Sequence, residues 1–261
     1  MVNYHLIEAG SYGKIYRTKE DSELVAIKKI PLDVHPRVFE HESFIGFHTI
    51  HLKYTVHVHR TYIRKNFGYI VMELCKTDLH KICLKNETFT ERQAALIFFK
   101  IVKAVEELHN EGIAHCDLKL ENILVTKDNN LKLCDFGSAV KLSHKKEKLP
   151  PPVKVGTPLY VAPEFAFSDK VSPIRADLWS LGVLLHVLLV KCFPVTEFSS
   201  FITPSIFTLQ FSQHLSKHCR SLLKGLLKFN PKERLSIKEV LNHKWIKTHT
   251  ASFRSCQQIS Y

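Results

Sequence analysis

His115-Cys116-Asp117-Leu118-Lys119-Leu120-Glu121-Asn122-Ile123-Leu124 is followed by Leu131-Lys132-Leu133-Cys134-Asp135-Phe136-Gly137. Two aspartates, a lysine and an asparagine thus fall between short apolar runs of strand character. Upstream, Thr90 with Gln93 three residues later forms a capping box. Ala94, Ile97, Ile101, Val105 and Leu108 then recur at helical spacing and predict a helix. Downstream, Ser172-Pro173 opens a second helix whose run from Leu178 to Val190 carries too few charges for a surface and predicts a core. Ser236 and Glu239 give another capping box before a last helix through Trp245, and the polar stretch from Thr248 to Tyr261 is expected to be loosely held.

The amino-terminal part reads differently. Tyr4 to Gly10, Gly13 to Lys19 and Leu24 to Ile30 alternate apolar and polar residues, as strands of an antiparallel sheet do. His35-Pro36 opens a helical stretch ending near Ile50, and Thr55 to Ile63 and Gly68 to Leu74 are two further extended runs. Strands first and helices afterwards predict an α+β fold of two unequal lobes. The small β-rich lobe covers about residues 1–74, Leu74 to Lys76 is the hinge, the helical lobe covers about 75–248, and 249–261 is a tail.

Composition narrows the classes. The 261 residues are 45% hydrophobic and 24% charged, which fits a globular chain and excludes a disordered or collagenous one. No stretch reaches the roughly 18 uncharged apolar residues of a membrane span, and Leu181 to Val190 is read as a core helix. The amino terminus lacks the basic start and apolar run of a secretory signal, which predicts an intracellular protein, in cytoplasm or nucleus. The seven scattered cysteines form no Cys-x-x-Cys pair and predict reduced thiols. The formal charge of +12 is spread along the chain instead of forming a tract or alternating with aromatics, so no nucleic-acid partner is expected.

Gly10-Ser11-Tyr12-Gly13-Lys14-Ile15 lies between two predicted strands, where glycines let backbone N–H groups approach phosphate oxygens. By itself a two-glycine hairpin is more often only a turn. Val25-Ala26-Ile27-Lys28 puts one lysine among apolar strand neighbours, which a surface lysine also satisfies. Joined to the Asp117 and Asp135 stretches these acquire a chemistry. Phosphoryl transfer uses a carboxylate to orient a hydroxyl, a cation for the transferred phosphate and oxygen ligands for magnesium.

In this order the motifs resemble those of the eukaryotic protein kinases: a Gly-rich loop, V-A-I-K, H-R-D-L-K-x-x-N, D-F-G and A-P-E. The resemblance runs from about Leu6 to Thr248 and continues through Ala162-Pro163-Glu164, Asp177-Leu178-Trp179-Ser180-Leu181-Gly182 and Arg234. It implies a bilobal fold with a Mg-ATP cleft between the lobes, and ATP and Mg2+ as cofactors. Asp117 would orient the substrate hydroxyl and Lys119 steady the γ-phosphate. Asn122 and Asp135 would hold magnesium, and Lys28 would grip the α- and β-phosphates. Ile7, Gly10, Ser11, Tyr12, Gly13 and Ile15 would cover the nucleotide, and Ala26 and Leu124 would sandwich adenine. Backbone from Glu73 to Cys75 would bond its edge, Met72 would stand at the back of the pocket and Asp78 would reach the ribose. Glu164 and Arg234 would form a buried structural ion pair.

Lys119 together with Gly156-Thr157-Pro158-Leu159-Tyr160-Val161-Ala162-Pro163-Glu164 is similar to serine/threonine kinases and not tyrosine kinases. Protein substrates are therefore implied, acted on by a monomer with no membrane partner, and Glu121 would attract a substrate arginine. The partner of Lys28 is left open between Glu40 and Glu42, chain distance to Glu73 favouring Glu42. Two positions depart from the pattern, in a way similar to kinases of large DNA viruses. Glu8 replaces the first loop glycine, and its exposed carboxylate is expected to weaken ATP binding modestly. Cys116 replaces the arginine that anchors a phosphorylated loop, so activity should not require phosphorylation at Ser138, Ser143 or Thr157, near the basic His144-Lys145-Lys146. Cys134 is expected to be a small buried residue. The alternative to an enzyme is a pseudokinase, a binding scaffold without useful turnover; retention of Lys28, Asp117, Asn122 and Asp135 argues against it. A small-molecule phosphotransferase is disfavoured by the stretch from Gly156 to Glu164.

Overall fold

Strand-forming residues fill the first third of the chain. A computed structural model describes residues 4–85, 89–142, 157–166, 168–194, 212 and 214–257. The elements begin β1 (His5–Ala9), β2 (Lys14–Glu20), β3 (Glu23–Pro31), α1 (Pro36–His48), β4 (Val58–Arg64), β5 (Phe67–Glu73) and β6 (Thr77–Asp78). They continue with α2 (Leu79–Lys85), α3 (Glu91–Asn110), β7 (Ile113–Ala114), β8 (Ile123–Val125), β9 (Leu131–Leu133) and β10 (Val140–Lys141). The last are α4 (Pro173–Val190), α5 (Lys217–Leu226), α6 (Ile237–Asn242) and α7 (Lys244–Gln257). Packing divides the chain into two units, Met1–Asp78 with Leu124–Gly137, and Leu79–Ile123 with Ser138–Tyr261. The first unit thus ends its amino-terminal run at Asp78, beyond the hinge expected at 74–76, and takes back the segment that carries Asp135.

The first unit is built on an antiparallel sheet of order β1-β2-β3-β5-β4. Alternation gives it two different faces. On one, Ile30, Val58 and Ile70 pack with Phe39 of α1; on the other, Val25, Ile27 and Val71 lie beneath Tyr62 and Tyr69. The extended run expected from Thr55 starts instead as β4 at Val58. The reason is a competing partner: Leu133 N–H donates to the Tyr54 carbonyl and Val56 N–H to the Leu133 carbonyl, which spends these residues on β9.

In the second unit α3 starts where its sequence requires. Gln93 N–H donates to the Thr90 hydroxyl, while the Gln93 side-chain oxygen accepts from Thr90 N–H. Its buried stripe runs through Ala94, Phe98, Ile101, Val105 and Leu108, so Phe98 takes the place expected of Ile97, which is half-buried. α4 is long and apolar enough to cross a membrane, yet 78% of it is buried within the protein.

The predicted last helix is two. α6 begins at its capping box, but His243 adopts extended backbone and its side-chain Nδ1 accepts from Trp245 N–H at 3.2 Å, so α7 starts anew. The expected loose tail is also corrected. α7 continues to Gln257, with Trp245, Ile246 and Thr250 fully buried and the Thr250 hydroxyl donating to the Ile246 carbonyl. The few buried positions of an otherwise polar segment suffice because α7 packs along α3.

Candidate active site

Within the first unit the register of the sheet places the chemistry. Lys28 is opposite Ile15 on β2 and Ile70 on β5, on the face that α1 covers. The Lys28 ammonium lies 2.7 Å from both Glu42 carboxylate oxygens and 3.0 Å from Asp135 Oδ1. Glu42 is buried on α1, whereas Glu40 is exposed. Burial disfavours the Lys28 charge, and the carboxylates of Glu42 and Asp135 outweigh it, so the ammonium is held charged. Asp135 is only partly buried and carries a left-handed backbone, φ 62°. Its carboxylate is a hard oxygen donor of the kind a small divalent cation takes.

Within the second unit a separate group forms around Asp117. Its Oδ2 accepts from Lys119 Nζ at 2.8 Å and Asn122 Nδ2 at 3.1 Å, and its Oδ1 from Thr157 N–H at 2.9 Å. The Thr157 hydroxyl accepts from Lys119 at 2.9 Å and donates to Asp117 Oδ1 at 3.2 Å. Asn122 Nδ2 also donates to the Asp117 carbonyl at 2.8 Å. With its nitrogen so committed, the amide presents its oxygen as the remaining acceptor, again a ligand type suited to a hard cation.

The loop holding Asp117 is strained and anchored. Cys116 has φ 62°, a left-handed conformation a side chain rarely adopts. Asp177, buried at the start of α4, accepts from the backbone N–H of His115 at 2.8 Å and of Cys116 at 2.9 Å, and pairs with His109 at 2.9 Å. A buried carboxylate with three donors fixes the turn that aims Asp117.

Residues 2–246 match the family model described as the protein kinase domain. Serine/threonine-protein kinase SAPK7 of Oryza sativa subsp. japonica is 34% identical, over 94% of this chain and 72% of the rice protein. Serine/threonine-protein kinase SRK2A of Physcomitrium patens is 33% identical, over 92% of this chain and 72% of its own. Serine/threonine-protein kinase 33 of Bos taurus is 30% identical, over 95% of this chain and 55% of its own. The chain belongs to the protein kinase family.

The kinase fold distributes the remaining expected nucleotide residues over the first unit. Gly10 and Ser11 are exposed and Tyr12, Gly13 and Ile15 half-buried at the β1–β2 turn, which is closed by Gly10 N–H donating to the Gly13 carbonyl at 2.9 Å. Ile7 and Glu8 are exposed on β1. Gly13 is fixed by packing: a Cβ there would run into the Lys29 carbonyl oxygen, whereas one at Gly10 would meet only the Gly13 carbonyl oxygen at 3.8 Å. Ala26 is buried opposite Met72, and Leu124 is half-buried opposite the buried Asp78. Glu73 N–H donates to the His57 carbonyl, and its side chain takes His57 N–H and Lys132, each at 2.7 Å. The thiol of Cys75 is pushed up to about 12 by burial and by the Glu73 charge. Cys134 is pushed well up by burial and by Asp135, which disfavours the thiolate a thiol-directed inhibitor needs.

Two functional positions were not assigned their roles from the kinase sequence. Asp177 stands in the Asp-x-Trp stretch and Thr157 in the stretch from Gly156 to Glu164, also as an available hydroxyl, and neither context says what the side chain holds. The structure ties Thr157 to Asp117 and Lys119 instead. Ser138 lies in the turn after Asp135, while Ser143, His144-Lys145-Lys146 and Gly156 lie outside the described residues. The expected pair of Glu164 and Arg234 is present and buried, joined by two bonds of 2.7 and 2.5 Å.

Proposed function

We infer that this protein kinase transfers the γ-phosphate of ATP to serine and threonine hydroxyls of protein substrates, with Mg2+ as its metal. The observation that carries the reading is the group in which Asp117, Lys119, Asn122 and Thr157 are bonded to one another. The serine/threonine kinases it resembles support the choice of acceptor.

In this reading the substrate hydroxyl oxygen attacks the γ-phosphorus as the bond to the β,γ-bridging oxygen breaks. ADP leaves, and the hydroxyl proton passes to the Asp117 carboxylate. Lys119 meets the charge gathering on the transferred phosphoryl oxygens. Lys28, positioned by Glu42, meets the α- and β-phosphates. Asn122 and Asp135 are the residues that would bind magnesium, which when bound would neutralise phosphate charge. Thr157 keeps Asp117 and Lys119 aligned. Glu121, exposed in the middle of the 3₁₀ turn Leu120–Asn122, suits a basic residue near the acceptor. Bonded sets around both Lys28 and Asp117 favour turnover over a non-catalytic scaffold.

The test is transfer of labelled phosphate from Mg-ATP to serine, threonine and tyrosine peptides by wild type, Asp117→Asn and Lys28→Met. Transfer to serine or threonine peptides, lost in both variants, is the expected result. Transfer to tyrosine alone, or none from a folded nucleotide-binding protein, overturns it.

A further inference from the structure

The face of the five-stranded sheet turned away from α1 has no role in the chemistry above, and its composition is unusual. Residues paired across a sheet share a face, so register reads out what that face presents. One row runs Lys14, Lys29, Tyr69 and Tyr62 across β2, β3, β5 and β4. The row beside it contains Phe67 opposite Arg64, and on the other side lie Tyr16 and Ile27. Along β4 the outward residues Arg60, Tyr62 and Arg64 alternate cation, ring, cation.

The rings are ordered against one another. Tyr62 and Tyr69 are stacked, centroids 4.8 Å apart and planes 6° apart, and Tyr4 meets Tyr16 edge-on at 5.9 Å. Lys29 Nζ stands 3.8 Å over the Phe67 ring. Tyr62 and Tyr69 cover the buried Val25, Ile27 and Val71 and leave above them a groove of about 450 Å³, edged by Lys29, Arg64 and Lys65. No carboxylate among the described residues lines this groove. Among the described residues Lys14, Lys29, Arg64 and Lys65 are in no ion pair, whereas Arg60, farther along β4, is tied to Glu20 at 2.8 Å.

We propose that this groove binds single-stranded nucleic acid, its rings taking bases and its unpaired cations taking phosphates. The occupant follows from the pairing of two features. Three cations along the groove, Lys29, Arg64 and Lys65, with Lys14 next in the same row, call for a polyanion, and the aromatic rings among them call for one that carries flat π faces of its own. An acidic polypeptide meets the first requirement and not the second. A duplex keeps its bases stacked inside and meets the first only. The proposal does not depend on the phosphotransfer reading, since none of these side chains belongs to the Lys28 or Asp117 groups. It also revises the expectation drawn from the spread of charge: the alternation with aromatics exists, but it lies across neighbouring strands and with a period of two.

The test is fluorescence anisotropy of the full chain with a short labelled thymidine homopolymer, titrated against salt. Binding should weaken with salt. Arg64→Glu/Lys65→Glu, at two exposed positions of the β4–β5 turn, should weaken it tenfold or more and reduce the salt slope by about 1.4, at about 0.7 per single-strand phosphate contact. Tyr62→Leu/Tyr69→Leu keeps the apolar cover and the net charge and should weaken binding about tenfold through lost stacking. Lys232→Glu/Lys238→Glu makes the same charge change on exposed residues that do not line the groove and should leave affinity within about twofold, because salt screens charges that are not in contact with the bound strand. No salt-dependent binding overturns the proposal. An equal loss in the Lys232/Lys238 variant overturns it in favour of bulk charge. Unchanged binding in the leucine variant, or equally good competition by polyglutamate, overturns it in favour of an acidic protein partner.

Discussion

The backbone N–H of Thr157 donates to Asp117 Oδ1 at 2.9 Å, and the Thr157 hydroxyl donates to the same oxygen at 3.2 Å while accepting from Lys119. A residue open to phosphorylation on sequence grounds therefore holds the two groups at the centre of the reaction in register. Thr157→Val removes the hydroxyl and keeps the shape. Turnover should fall roughly 10- to 100-fold, the worth of a hydrogen bond to a charged group. Thr157→Ser should restore most of it, and Thr157→Glu should abolish it. Full activity in Thr157→Val would show that the hydroxyl is dispensable.

Glu164 and Arg234 make the stability counterpart of that pair. Arg234 also donates to the carbonyls of Lys228 and Arg175 at 2.8 Å each, and its guanidinium lies 5.1 Å from the Trp179 ring. Glu164→Ala leaves this charge buried without its carboxylate and should cost about 3–5 kcal/mol of unfolding free energy. Urea denaturation reads it directly, and a loss below 1 kcal/mol would mean that water or another group replaces the glutamate.

Acid should loosen the second unit before it protonates ordinary carboxylates. Burial pushes His186 below its usual 6.5, opposed by its Nδ1–H bond to the Cys192 carbonyl at 2.8 Å, and burial together with His218 lowers His243. A base with a depressed folded value is neutral when folded, and the unfolded chain takes up its proton first. Stability from these sites is complete above about 6.5 and is lost as pH falls through the folded value. The urea midpoint should therefore drop between pH 7 and pH 5.5, and by less in His186→Asn, whose amide can still donate to Cys192.

Glu8 stands exposed on β1 at the approach to the β1–β2 turn. Its negative charge is expected to oppose a triphosphate modestly, as an exposed, screened charge does. Glu8→Gly should lower the KM for ATP with little change in kcat. An unchanged KM would remove the charge from the account of nucleotide affinity.

Cys116 occupies the place of a loop-anchoring arginine, and its thiol is pushed well above the usual range by burial and by the charges of Asp177 and Asp117. A neutral thiol offers a phosphate nothing to pair with. Phosphatase treatment should leave peptide phosphorylation within about twofold of the untreated enzyme, the scale of a lost surface ion pair; abolished activity would show that another cation serves as anchor.

Much of this was legible because it is local. Both capping boxes are visible as strings, since each joins residues three apart. Ordered motifs identify Asp117 and Asp135 because their roles require particular chemistry at particular spacing. What stayed open, as between Glu40 and the favoured Glu42, or escaped altogether depends on phase and distance. Glu40 and Glu42 lie close in sequence, and only the rotation of α1 decides which faces Lys28. Thr157 meets Asp117 across 40 residues, and Asp177 meets Cys116 across 61. The polar stretch after Trp245 hides a helix because its hold on α3 rests on a few buried positions.

Gly13 lies so close against β3 that a methyl group would collide with the Lys29 backbone. Replacing it with alanine must part the two strands, and with them the neighbours of Lys28. A weakened nucleotide signal from Gly13→Ala would thus report a sprung hairpin. Gly10, whose added methyl makes only an ordinary contact with the Gly13 carbonyl oxygen, is the position at which the same replacement asks how near a phosphate comes to the chain.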